Sequence, residues 1–107
     1  MSITEITVDE LADRLHDGVQ VFDVRQPDEY VAGHVPGALL VPLNDVPERL
    51  GEFPTVGSVL VVCRSGARSL AACEFLVDNG VPAVNVAGGT LAWIESGRDV
   101  VVGEHPA

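Results

Sequence analysis

Lysine is absent from these 107 residues. That excludes lysine Schiff-base chemistry and the lysine of a phosphate-binding P-loop. Positive charge is scarce altogether: six basic residues, all arginine, face sixteen acidic ones, for a formal net charge of −10. Such a balance disfavours nucleic acid and anionic membrane surfaces as partners. Cysteine is also rare, with only Cys63 and Cys73 present. Neither cysteine nor His16, His34 or His105 falls into a ligand spacing such as CxxC or HxxxH, so no metal and no cofactor is expected. No apolar stretch is long enough for a membrane helix. The opening residues Met1 to Glu5 lack a basic segment and apolar core of the kind that directs secretion. The chain is therefore read as cytoplasmic, and in that reducing setting its two cysteines are expected to be free thiols.

What is present is apolar and patterned. The chain is 47% hydrophobic, rich in Val, Leu and Ala, which excludes a disordered chain and is enough for one compact domain over residues 1–107. Thr7 can cap a helix from Val8, with Glu10 as its capping-box partner and Gly18 at its end. Strands are expected over Val19–Val24, Leu39–Pro42, Ser58–Val62 and Pro82–Val86, with weaker strand character over Ile3–Thr7. Pro27 opens a turn or short helix, and another loop or short helix is expected around Val46–Leu50. Helices are expected over Ser69–Asn79, closed by Gly80, and over Thr90–Ser96, closed by Gly97. The tail from Asp99 is expected to be loosely held. Strands that alternate with helices imply the α/β class: a central parallel sheet with helices on both faces. Ligands of such sheets sit at the strand C-termini, where Arg25, Cys63 and the Gly88-Gly89 turn all fall.

The stretch Cys63-Arg64-Ser65-Gly66-Ala67-Arg68-Ser69 carries the chemistry. An apolar strand runs into a cysteine, then a tight glycine-containing loop, then a helix start. Loop N–H groups and the positive helix end both favour negative charge, so they favour the Cys63 thiolate. Two of the six arginines, Arg64 and Arg68, bracket the same loop. This pattern points to a nucleophile in a cradle for an anionic substrate. Arg64 is expected to attract that substrate, while Arg68 could contact it or brace the loop. Arg25 is expected to pair with Asp23 or Glu29 behind the site. His34 is expected to fix a turn, Cys73 and Trp93 to pack in the core, and Gly88-Gly89 to meet a backbone requirement.

With these residues in view, the chain from about Ile6 to Gly97 resembles a single-domain rhodanese, a thiosulfate sulfurtransferase. Four features in order carry the resemblance: Asp23-Val24-Arg25 followed by Glu29-Tyr30; Gly33-His34-Val35-Pro36-Gly37-Ala38; the loop Cys63 to Ser69; and Gly88-Gly89 followed by Trp93. The resemblance implies a rhodanese-like fold and a catalytic Cys63. That cysteine would take the outer sulfur of thiosulfate as a persulfide and pass it to cyanide or a small-molecule or protein thiol. The loop residues Arg64, Ser65, Gly66, Ala67 and Arg68 would bind the small anionic donor, supported by Asp23, Arg25 and Glu29. Two other readings stand beside it. One is a non-catalytic rhodanese-like binding module, although such modules usually lose the cysteine. The other is a Cys-dependent phosphatase or arsenate reductase, although those carry a loop one residue longer than the four residues between Cys63 and Arg68. Arginine directly after the cysteine is similar to thiosulfate-type members, whereas mercaptopyruvate-type members typically have glycine there.

Overall fold

The computed structural model describes residues 2–107. Its elements run β1 (Glu5–Ile6), α1 (Val8–His16), β2 (Val21–Asp23), α2 (Pro27–Ala32), β3 (Leu39–Leu40), β4 (Val59–Val62), α3 (Ala67–Asp78), β5 (Ala83–Val86) and α4 (Gly89–Glu95). The five strands form one sheet in the order β1-β5-β4-β2-β3, and every pairing is parallel. β4 lies at the centre, with Leu60 in register with Val21 on one side and Val84 on the other. A central strand in a parallel sheet has no wet face, which is why all four residues of β4 are apolar and buried.

Side-chain alternation splits the core into two layers. Phe22, Val24, Val59, Val61 and Cys63 face Ala72, Cys73 and Leu76 of α3, together with Val46 and Phe53. Val21, Leu60, Val62, Val84 and Val86 face Leu11 of α1, Tyr30 of α2 and Trp93 of α4. Helices therefore cover both faces, as the alternating pattern predicts. Local signals hold where they are strong. Thr7 accepts a hydrogen bond from the Glu10 N–H at 3.2 Å and caps α1, while the Glu10 carboxylate, expected to complete a capping box, pairs with Arg14 instead. Gln26 and Glu29 form a capping box around Pro27 at the start of α2.

Two expectations need correction. α3 begins at Ala67, not Ser69, because Gly66 takes a left-handed conformation (φ 113°) and serves as the cap itself. Arg68 and Ser69 thus belong to the first helical turn. The loop or short helix expected around Val46–Leu50 is present as a turn flanked by two 3₁₀ turns, Leu43–Asp45 and Leu50–Glu52. The tail from Asp99 is not loose. His34 and Val101 exchange two backbone hydrogen bonds of 2.9 Å, Gly103 N–H donates to Val31 O, and Gly37 N–H donates to Pro106 O. The His34 ring completes the anchorage: Nδ1 lies 2.8 Å from Tyr30 O and Nε2 lies 2.9 Å from His105 O. Expected to fix its turn, the His34 ring instead ties it to the end of α2 and to the tail. Such backbone lacing has no side-chain signature, so composition alone cannot reveal it.

Candidate active site

β4 delivers Cys63 to the C-terminal edge of the sheet, and the chain then folds back on itself through Arg64 to Gly66 before entering α3. Two glycines from a distant turn shape this loop. Gly88 and Gly89 both hold positive φ, at 79° and 59°. A Cβ on Gly89 would stand 2.5 Å from Cys63 O and 2.6 Å from Arg64 O, so no side chain fits there. The close approach lets Thr90 N–H donate to Cys63 O at 2.8 Å and Leu91 N–H donate to Arg64 O at 3.0 Å. The first turn of α4 thus holds the loop carbonyls, and the Gly66 N–H points at the sulfur, 3.1 Å from Cys63 Sγ.

Cys63 is buried, and burial alone would hold its thiol protonated. Hydrogen bonds outweigh it. The Ser69 hydroxyl lies 3.3 Å from Sγ, and the backbone N–H groups of Ser69, Gly66 and Ser65 also favour the charged form, so the thiol is shifted below its ordinary value. The positive end of α3 acts in the same direction. Cys73 sits one helix turn beyond Ser69 in the core, where burial, then the charge of Cys63, pushes its thiol up to about 12. Both cysteines are free thiols in the structure.

The arginines divide sharply. Arg25 lies over Asp23, with Nη2 2.8 Å from Oδ2 and Nε 3.0 Å from Oδ1, and it also donates to Gly33 O. Of the two partners the sequence left open for Arg25, the structure selects Asp23. Glu29 turns to Arg68 instead, in a bidentate pair of 2.7 and 2.8 Å that ties α2 to the first turn of α3. The Arg68 hydrogen bond holds the Glu29 carboxyl down at about 2. Of the two roles left open for Arg68, contact with substrate or bracing of the loop, its bidentate pairing with Glu29 supplies the bracing contact. Arg14, Arg49 and Arg98 are likewise paired with carboxylates. Among the described residues Arg64 is the one arginine without an ion pair, and it is exposed beside Cys63. Ser65 and Ala67 are exposed on the same loop.

Sequence reasoning missed a polar chain beneath the loop. Ser69 Oγ lies 2.5 Å from Asn85 Oδ1, and Asn85 Nδ2 lies 2.8 Å from Glu5 Oε2. Asn85 is 1% exposed. One amide inside the apolar run Ala83–Val86 was the available signal, because a buried polar side chain has to be satisfied by something.

A buried cysteine sulfur at the edge of a parallel sheet, met by N–H and hydroxyl donors that favour its charged form and with an unpaired arginine exposed on the same loop, is an arrangement suited to a nucleophilic thiol. Residues 7–96 match the rhodanese-like domain family, and the chain belongs to that family. It is 39% identical to a sulfurtransferase of Allochromatium vinosum over 105 residues, which cover 95% of this chain and 98% of that protein. Two solved structures agree. A rhodanese-like domain protein from Staphylococcus aureus superposes with a TM-score of 0.86 at 36% identity, over 95% of this chain and 100% of the other. A rhodanese-related protein from Thermoplasma volcanium superposes with a TM-score of 0.87 at 32% identity, over 92% and 98% of the two chains.

Proposed function

We propose that this protein is a sulfurtransferase that loads the outer sulfur of thiosulfate onto Cys63 and passes it to a second nucleophile. The observation that carries the proposal is the environment of Cys63 Sγ: a buried sulfur whose ionised form is favoured by Gly66, Ser65 and Ser69. The thiolate attacks the outer sulfur of thiosulfate. The sulfur–sulfur bond of thiosulfate breaks, and sulfite leaves with the bonding pair. Cys63 is left as an anionic persulfide held by the same donors. A cyanide ion or a thiolate, on a small molecule or a protein, then attacks the outer sulfur, and the Cys63 thiolate departs. For the fraction of Cys63 that is already ionised no general base is required, and the donors around Sγ favour that form.

The remaining loop residues take roles that follow from their positions. Arg64 draws the dianionic donor towards the rim. Ser65, Gly66 and Ala67 form the cradle, and Arg68 holds the cradle to Glu29. Asp23 and Arg25 support it from β2. The same geometry speaks against a phosphatase or arsenate reductase. The loop is short, and the arginine that would clamp a tetrahedral oxyanion is turned away to a carboxylate. A binding module without catalysis has no use for a thiol shifted towards ionisation. The reading includes one domain over residues 1–107 working in the reducing cytoplasm.

Incubation with thiosulfate and cyanide, followed by assay of thiocyanate, tests the proposal. Turnover that depends on Cys63 is expected. Absence of both turnover and a sulfur adduct would leave the binding-module reading in its place.

A further inference from the structure

The chain Glu5–Asn85–Ser69 reaches the nucleophile through hydrogen bonds, and its donor count does not close in both states of the sulfur. Ser69 Oγ has one proton and three neighbours that can accept it: Asn85 Oδ1 at 2.5 Å, Gly66 O at 3.2 Å and Cys63 Sγ at 3.3 Å. Asn85 cannot present its amino group to Ser69, because Glu5 Oε2 at 2.8 Å and Gly66 O at 3.3 Å only accept, and they claim Nδ2. Oδ1 is therefore the end that faces Ser69. With Cys63 protonated, S–H donates to Ser69 Oγ and the hydroxyl donates to Asn85. Every buried polar group in the chain then has a partner.

With Cys63 ionised, the sulfur can only accept. The Ser69 hydroxyl then either rotates its proton to the sulfur, leaving Asn85 Oδ1 buried and unpaired, or keeps it on Asn85 and turns a lone pair to the anion. Each alternative costs stability in a dry site. We propose that Asn85, locked in one amide orientation by Glu5, is a positioning residue that competes with Cys63 for the Ser69 proton and so limits how much of Cys63 is thiolate. The cradle N–H groups and the Ser69 hydroxyl pull the sulfur towards ionisation, and Asn85 holds the hydroxyl back. The other titratable and charged groups around the sulfur are Arg64 on the loop, Arg68 with Glu29 across the first turn of α3, the Asp23–Arg25 pair on β2, the neutral Cys73 thiol and Glu74 on α3, and the carboxylate charge of Glu5 itself on β1. They act through space, and none of them sets the direction of the Ser69 hydroxyl.

The inference rests on Cys63 being the nucleophile proposed above, but its test needs no sulfur transfer. Thiolate ultraviolet absorbance is followed against pH for the unmodified protein, Asn85→Ala, Ser69→Ala and the double variant. Asn85→Ala frees the hydroxyl for the sulfur and is expected to lower the Cys63 midpoint by roughly one pH unit, about ten-fold more thiolate at a fixed lower pH. Ser69→Ala should raise the midpoint by a similar amount. In the double variant the effect of Asn85→Ala should vanish, because Asn85 acts only through Ser69. Glu5→Gln, on an exposed strand residue, releases the amide to flip and should shift the midpoint down by a smaller step. The part of that step which disappears in the Ser69→Ala background is due to the amide and not to the lost carboxylate charge, which keeps the test open if Asn85→Ala misfolds. An unchanged or raised midpoint in folded Asn85→Ala and Glu5→Gln overturns the inference, and so does a downward shift that survives in full in the Ser69→Ala background. A protein that shows the expected shifts but fails to transfer sulfur would refute the proposed function and leave this inference standing.

Discussion

Cys63 and Cys73 are the same residue in the same core layer, yet their thiols are pushed in opposite directions. Burial is the largest influence on both, and it opposes ionisation in both. Cys63 overcomes it because a loop folds N–H groups and a hydroxyl onto the sulfur. Cys73 has burial and the negative charges of Cys63, Glu5 and Glu74 all acting the same way. The direction of the shift is set by the loop and not by the cysteine. Arg64 and Arg68 repeat the lesson four residues apart: one is free at the rim, and the other is consumed by Glu29.

The largest expected effect breaks the cysteine pair apart. Cys63→Ser should lower thiocyanate formation by at least ~10⁴-fold with the fold intact by circular dichroism, because serine is not ionised near neutral pH. Cys73→Ser should keep most transfer and lose ~1–3 kcal/mol of stability in urea titration, the cost of a buried hydroxyl. If the two variants exchanged these phenotypes, the site would have been assigned to the wrong cysteine.

Next comes the scaffold. Asp23→Ala leaves Arg25 buried without its carboxylate, and a loss of about 3–5 kcal/mol in the urea midpoint analysis is expected. A change under 1 kcal/mol would show that water or Gly33 O already satisfies the guanidinium.

The arginine comparison is sharpened by kinetics. Arg64→Ala should raise KM for thiosulfate roughly ten-fold with kcat little changed, and the salt dependence of the rate at low thiosulfate should flatten. Arg68→Ala should lower kcat as well, because the loop loses its tie to α2. Equal effects from both variants would mean that Arg68 leaves Glu29 to meet the substrate.

The smallest effect is a pH dependence. Glu29 in the folded protein lies at about 2, below its ordinary 4.5, so the Glu29–Arg68 pair stabilises the fold above pH 4.5 and is lost as pH falls towards 2. Both side chains are partly exposed, with Arg68 35% accessible, so the contribution is on the order of 1 kcal/mol after solvent screening. Acid unfolding of Glu29→Gln should converge with that of the unmodified protein across this window. Parallel curves would remove the pair from the stability account.

Much of this was legible in the sequence, for physical reasons that differ by element. The apolar runs around β4 and β5 and the capped start of α1 are local signals, and they survive in the fold. The Cys63 loop is local too, so the cysteine and the N–H groups that meet its sulfur could be read together. What could not be read is long-range. The partner of Arg68 lies 39 positions away, and sixteen carboxylates were available to six arginines. Asn85 meets Ser69 only because β5 pairs with β4 and α3 packs across both. The tail is held by backbone hydrogen bonds to His34, Gly37 and Val31, which any sequence could make. Gly66 as a helix cap moved the start of α3 and placed Arg68 and Ser69 in its first turn.

The most direct test of the central claim is the mass of the protein after brief exposure to thiosulfate, with peptide mapping under conditions that preserve persulfides. One added sulfur on the Cys63 peptide, removed by cyanide, with the Cys73 peptide unmodified, is the expected result. No added sulfur, or sulfur on Cys73 in place of Cys63, would contradict the account.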